Sequence, residues 1–116
     1  MSGCLFCRIV SGEIPAQKVY EDDEMLAFKD IAPARPVHVL LVAKRHIESL
    51  AHVTEADAPL LGHLLAQANR IAVEQGSPEG FRLIANTGRI GHQEVQHLHI
   101  HVVGGPDPVG PMLKKI

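Results

Sequence analysis

From His97 to Val103 the sequence reads His-Leu-His-Ile-His-Val-Val, and no other stretch limits so closely what this chain can fold into. Side chains two residues apart share one face of a strand. An extended run here therefore sends His97, His99 and His101 to one side and Leu98, Ile100 and Val102 to the other. The apolar side needs a core against it. The imidazole side must border solvent, a metal or a polar ligand, because three unpaired rings in a dry interior are costly. A fourth histidine, His38, interrupts Val37–Val42, a run otherwise apolar enough for a strand covered on both faces. Spacing alone leaves open a structural role, a three-histidine zinc with water in its fourth position, and a polar ligand.

The rest of the chain supplies elements for that strand to pack against. Leu5 to Val10 has apolar residues at helical spacing and stops at Ser11-Gly12, which predicts a short helix. Val19-Tyr20 and Met25 to Phe28 flank Glu21-Asp22-Asp23-Glu24 as a hairpin would, with the second strand ending near Asp30. The clearest helix spans Thr54 to Gln75, with Thr54 as N-cap, Asp57 at the capping-box position and Gly76 as the stop. Its apolar stripe is Leu60, Leu61, Leu64, Leu65, Ala68 and Ile71. His52 and His63, on or near this helix, read as surface or hydrogen-bonded structural residues. Phe81 to Ala85 reads as a strand, 87–92 as a loop, Val95 to Val103 as a long strand ending at Gly104-Gly105, and Pro106 to Ile116 as an irregular tail. At 116 residues, the expectation is one domain over 1–116. One major helix among hairpin-linked strands gives an α+β layout around an antiparallel sheet.

Charge removes some classes of partner. The formal net charge is -2 and the longest basic runs are Lys44-Arg45 and Lys114-Lys115, which predicts no nucleic-acid partner. No apolar run reaches bilayer length and Met1-Ser2-Gly3-Cys4 has no leader character, so the expectation is a cytoplasmic protein with no membrane partner. Two cysteines, Cys4 and Cys7, exclude a disulfide framework and leave a C-x-x-C pair for metal or redox chemistry.

The run His97-Leu98-His99-Ile100-His101-Val102-Val103 resembles the histidine-triad signature, His-φ-His-φ-His-φ-φ with φ apolar. Further segments resemble the Hint branch of the histidine triad (HIT) superfamily: Leu5-Phe6-Cys7-Arg8-Ile9, Glu13-Ile14-Pro15, Phe28-Lys29-Asp30-Ile31, Pro36-Val37-His38, Asn86-Thr87, Gly91-His92-Gln93-Glu94-Val95 and Gly110-Pro111-Met112-Leu113. The likeness covers nearly the whole chain. It implies a HIT-like fold: a five-stranded antiparallel sheet with one long and one short helix, extended across a homodimer.

The resemblance also implies roles. His99 matches the nucleophile that attacks the α-phosphorus to form a nucleotidyl-histidine, and His101 and His38 match groups that hold the phosphate oxygens, with no metal needed for catalysis. Asp30 matches the carboxylate that accepts from both ribose hydroxyls; by itself, it reads as a strand-end turn cap. Phe6, Ile9, Phe28, Ile31 and Leu40 match residues that sandwich a purine, although such residues are more often core. Asn86, Gln93 and Val95 match residues near the phosphate and leaving group. Where many relatives have Gly-Gln-Ser or Gly-Gln-Glu, this chain has His92-Gln93-Glu94, and the imidazole in place of glycine bears on leaving-group preference; at Glu94 eukaryotic relatives often carry Ser and bacterial ones Glu, which implies a bacterial-type member.

In related proteins, a C-x-x-C pairs with a histidine after the His38-type strand and with the first triad histidine. The matching set is Cys4, Cys7, His46 and His97, a possible structural zinc site. The activity implied is hydrolysis of the P–N bond of purine nucleoside phosphoramidates, such as adenosine 5′-phosphoramidate or lysyl-AMP, to AMP or GMP. The alternatives are a dinucleoside polyphosphate hydrolase or nucleotidyltransferase of the same superfamily, and a nucleotide-binding interaction module with incidental activity.

Overall fold

The computed structural model describes residues 3–113; Met1-Ser2, the Lys114-Lys115 pair and the last residue of the tail lie outside the described residues. Its elements run in the order α1 (Leu5–Val10), β1 (Lys18–Glu21), β2 (Met25–Lys29), β3 (Val37–Ala43), α2 (Ala58–Gln75), β4 (Arg82–Ile84) and β5 (His99–Gly104). The strands form one antiparallel sheet in the order β1-β2-β3-β5-β4. The α+β architecture, the five strands and the long and short helices are those expected.

Local chemistry sets the boundaries. Asp22 Oδ1 accepts the backbone N–H groups of Glu24 (2.8 Å) and Met25 (2.9 Å) and so closes the β1–β2 turn. Thr54 and Asp57 form the capping box, on a 3-10 turn over Glu55–Asp57 that leads into α2. Gly76 ends the helix in the left-handed region at φ 112°.

Two strands are shorter than the sequence suggests. The third-histidine strand begins at His99 rather than Val95, and β4 covers Arg82–Ile84 rather than Phe81 to Ala85. Before His99 the chain leaves the ladder: the Leu98 N–H donates to the Ile47 carbonyl (2.6 Å) and the Gln93 side chain takes the Val95 carbonyl (3.0 Å). With their backbone groups satisfied elsewhere, these residues need no strand partner. On α2, Leu60, Leu64, Ala68 and Ile71 are buried as expected, whereas Leu65 is 49% exposed and points outward.

Alternation then divides the core. On one face of the sheet Met25, Ala27, Val39, Leu41, Leu98, Ile100 and Val102 pack with the stripe of α2. On the other, Leu26, Phe28, Leu40 and Val42 pack with Phe6 and Ile9 of α1. The short α1 covers only part of this second face, and the histidines occupy the rest. Among the described residues, no helix is long and apolar enough to cross a membrane.

Candidate active site

The four imidazoles lie in a row on the α1 face. In the β3–β5 register His101 sits opposite Leu40 and His99 opposite Val42. Ring centroids are 5.1 Å apart for His99 and His101, and 5.1 Å for His38 and His101. Phe6 presents its ring at a steep angle to His99, with centroids 5.0 Å apart. His97 precedes the strand, yet its ring stays on the same side, 5.9 Å from Phe6.

Backbone groups fix which nitrogen of each ring carries the proton. A carbonyl only accepts and a backbone N–H only donates. His99 Nδ1–H therefore donates to the His97 carbonyl (2.7 Å), which leaves the lone pair on Nε2. The Ala34 N–H donates to His38 Nδ1 (2.9 Å), so the His38 proton is on Nε2 and is donated to His101 Nδ1 (2.9 Å). His101 consequently holds its own proton on Nε2. One ring thus offers an electron pair and its neighbour an N–H.

His99 is 7% exposed, more enclosed than a residue lying open on a pocket floor. Its Nε2 is nonetheless not sealed off: among the described residues, no fully buried side-chain nitrogen or oxygen lacks a hydrogen-bond partner, and neither His99 Nε2 nor His101 Nε2 has one. Both atoms therefore reach the surface. Burial pushes the His101 imidazole below its ordinary value, with the neighbouring His99 and His38 adding to the effect and the Asp30 and Glu94 carboxylates opposing it. The ring is a neutral donor at neutral pH.

Asp30, at the end of β2, faces this row with Oδ2 3.5 Å from His38 Nε2, while Oδ1 accepts the Ala32 N–H (2.8 Å). The turn-cap role and an accessible second oxygen coexist. Asp30, His38 and His101 are close enough to suggest a metal site, but His38 Nε2 points a proton at His101, so two lone pairs do not converge there. Phe6, Ile9, Phe28 and Leu40 share one buried cluster, with Val95 packed against it. Ile31 is separate from that cluster and fully exposed; it lines a cavity of about 460 Å³ with Asp30, Lys29, Gln17, Ala16 and Pro15. Asn86 is half-buried, and Gln93 is spent on the loop, bonding the Glu48 carbonyl (2.7 Å) and the Gly88 N–H (3.0 Å). A second cavity, lined by Ser77, Arg82 and Val109 among others, lies away from the histidines.

The other end of the row meets the cysteines. Cys4 Sγ is 3.3 Å and Cys7 Sγ 3.5 Å from His97 Nδ1, and Cys7 Sγ is 3.2 Å from His46 Nδ1. All four ligand atoms lie within 4.8 Å of one another. His97 Nε2–H donates to the Ala43 carbonyl (2.8 Å), which directs the Nδ1 lone pair at the sulfurs. Burial lowers the His97 pKa, in part offset by that bond. Sequence reasoning did not identify Ala34, Ala43 or Glu48, because their backbone groups carry no residue-type signal.

His63 and His52 are hydrogen-bonded surface residues, as read from sequence. His63 Nε2 bonds Asp22 Oδ2 at 2.6 Å, and His52 Nδ1 lies 2.9 Å from Ser49 Oγ.

Comparison with known proteins agrees in sequence and in fold. Residues 3–115 match the family model described as scavenger mRNA decapping enzyme C-term binding. Protein HitA of Neisseria gonorrhoeae is 52% identical over 106 residues, spanning 91% of this chain and 99% of that protein. A HIT family hydrolase from Legionella pneumophila superposes with a TM-score of 0.87 at 44% identity, covering 90% of this chain and 95% of that one. A histidine triad protein from Clostridium difficile gives 0.89 at 43% identity, with 96% and 97% covered.

Proposed function

The chain belongs to the histidine triad (HIT) family, and we propose that it is a hydrolase of purine nucleoside phosphoramidates, cleaving the P–N bond through a nucleotidyl-His99 intermediate. The observation that carries this reading is the His99 Nδ1–H bond to the His97 carbonyl, which leaves an accessible lone pair on Nε2. In the first displacement Nε2 bonds to phosphorus, and the departing nitrogen leaves with the P–N electron pair and takes up a proton. In the second, water bonds to phosphorus, the pair of the P–Nε2 bond returns to the ring, and the proton released by water balances the first. Each half-step is easier than direct hydrolysis.

His101 Nε2–H donates to a phosphate oxygen, and His38 holds it in that state by donating to Nδ1. Asp30 Oδ2 accepts from the ribose hydroxyls, a charge-assisted pairing. The cavity beside Asp30 and Ile31 takes the nucleoside; of its lining residues, Ala16 also packs against the Phe6 and Phe28 cluster. The test is to incubate the protein with adenosine 5′-phosphoramidate and, separately, with diadenosine tetraphosphate, beside His99→Ala. Rapid AMP release from the first, lost in the variant, is the expected result. Preference for the second identifies a dinucleoside polyphosphate hydrolase, and activity that survives His99→Ala identifies a binding module with incidental turnover.

Cys4, Cys7, His46 and His97 would hold a structural zinc. Bonds of about 2.0 to 2.3 Å in a tetrahedron put ligand atoms roughly 3.5 Å apart, and the Cys–His separations of 3.2 to 3.5 Å fit that spacing. The ion would tie α1 and the His46 loop to the start of β5. Metal analysis of protein purified without added zinc should find about one ion per chain, and a metal-free preparation contradicts the assignment. We also read the chain as a homodimer. Leu65 and Val73 on α2 and Leu83 on edge strand β4 are exposed apolar residues on elements with no further cover. Sedimentation should show twice the chain mass; a monomer at micromolar concentration contradicts it.

A further inference from the structure

We propose that Cys4, Cys7, His46 and His97 position the nucleophile: metal occupancy of these four ligands holds the peptide plane between His97 and Leu98, and that plane sets which nitrogen of His99 carries the proton. The proposal rests on the readings of His99 as nucleophile and of the four residues as a zinc site. One peptide unit joins the two. Its oxygen, the His97 carbonyl, accepts from His99 Nδ1–H (2.7 Å), and its nitrogen, the Leu98 N–H, donates to the Ile47 carbonyl (2.6 Å). The peptide is planar and trans, so a turn about either bond moves both groups together. The plane directly follows His97, and Ile47 directly follows His46, so a ligand stands next to each of its attachments.

Each ligand is held in a way that passes its position on. His97 is fully buried, with Nε2–H on the Ala43 carbonyl (2.8 Å) and Nδ1 at 3.3 and 3.5 Å from the Cys4 and Cys7 sulfurs. A ring fixed at both nitrogens leaves the next peptide little room to rotate. His46 is exposed; its Nδ1 lies 3.2 Å from Cys7 Sγ and its ring stands edge-on to His97, with centroids 5.0 Å apart. A second bond ties the same two segments: Gln93, between the exposed and mutually bonded His92 and Glu94 (3.1 Å), donates from its side chain to the Glu48 carbonyl (2.7 Å). Thiols hold the two Nδ1 atoms through weak S–H donors, whereas coordination fixes both rings and both sulfurs in one tetrahedron.

The proton position of an imidazole follows the hydrogen bond made by its other nitrogen. While the His97 carbonyl faces Nδ1, the His99 lone pair stays on Nε2. When the plane turns, Nδ1 loses its acceptor, the Nε2–H form becomes populated, and that form has no electron pair at Nε2 to give to phosphorus. The ribose end of the site is remote from this link: the Asp30 N–H donates to the His38 carbonyl (3.0 Å), and His38 stands opposite Val103, whereas His99 stands opposite Val42. Emptying the four-ligand site therefore acts on turnover more than on nucleotide binding.

The test compares wild-type protein loaded with zinc, the same protein emptied by a chelator under a thiol reductant, and His46→Ala, which removes one ligand outside the histidine row. The readouts are the imidazole ¹⁵N shifts of His99 at one fixed pH, which report its tautomer, and kcat and KM on adenosine 5′-phosphoramidate. Loaded protein should show the Nδ1–H form alone. Emptied protein and His46→Ala should show both forms, with kcat lower by at least about tenfold and KM changed by less than about threefold. Returning zinc to the emptied wild type should restore both readouts. The same His99 shifts and kcat with and without the ion overturn the proposal, and so does a loss of activity that appears only where far-UV circular dichroism shows unfolding. Protein that neither carries nor takes up zinc removes the zinc assignment, and loaded protein that hydrolyses nothing removes the nucleophile reading; the proposal falls with either.

Discussion

At the scale of single residues, the chemistry is set by main-chain groups at least as much as by side chains. The His97 carbonyl and the Ala34 N–H decide that His99 offers a lone pair while His101 offers a proton. Two identical side chains two residues apart thus acquire opposite roles. Removing the His101 donor by His101→Ala should lower kcat by roughly a hundredfold with a smaller change in KM, the pattern of an interaction made mainly in the transition state. Steady-state kinetics on adenosine 5′-phosphoramidate checks this. The alternation of His97, His99 and His101 made the row legible from sequence, because a period of two leaves no freedom in which residues share a face. The proton positions were not legible: they depend on Ala34, Ala43 and the His97 carbonyl, groups that every residue possesses. Ile31, matched to the purine sandwich only through the resemblance, stands apart from the Phe6 and Phe28 cluster and lines the cavity beside Asp30.

Elements were read well where sequence carries a local stop signal and less well where tertiary contacts set the boundary. The α2 helix has its capping box at Thr54 and Asp57 and its left-handed stop at Gly76, as the residue types indicate. Asp57 also pairs with Arg45; the Thr54 N–H and the Arg45 guanidinium together hold its carboxyl below the usual range. Thr54→Ala should cost about 1 kcal/mol, measurable by urea denaturation. The start of β5 carries no such signal, since Val95 and Leu98 are as strand-like as Ile100, and what releases them is the bonding of Gln93 and of the Leu98 N–H. The far end of β5 meets α2 through Gly104, where an added Cβ would overlap the Ser77 side chain. Ser77 is 1% exposed and already bonded to the Gly80 carbonyl (2.5 Å) and the Gly105 N–H (2.9 Å), so it has no room to yield. Gly104→Ala should therefore destabilise the protein by roughly 1 to 3 kcal/mol, an overpacking penalty that the same denaturation curves would reveal.

Over the whole molecule, one sheet separates stability from chemistry. Its α2 face holds the larger core, with Leu64 fully buried, and Leu64→Ala should cost about 2 to 5 kcal/mol without redirecting the reaction. Its other face is left partly uncovered by the short α1, and the histidines stand in that opening. Titration links the two faces to pH. The His101 pKa lies below its ordinary value of 6.5 because of burial, so the unfolded chain binds this proton more readily than the folded one. The resulting stability is complete above the unfolded value and declines as pH falls through it. Asp22 acts in a lower window. Burial pushes its carboxyl up, but Tyr20, His63 and the Glu24 and Met25 N–H groups hold it well below the carboxylate range. Its contribution is present above the unfolded carboxylate value and is lost in stronger acid. Tm should accordingly be level from about pH 7 to 8, fall in a first step below about 6.5 and fall again below about 4; a Tm that rises on acidification contradicts this assignment. The central claim is the covalent step at His99, and its most direct test is mass spectrometry of wild-type protein quenched in alkali during turnover of adenosine 5′-phosphoramidate. The account predicts an added AMP on the peptide that contains His99; turnover with no AMP on that residue, or with AMP on another, would contradict it.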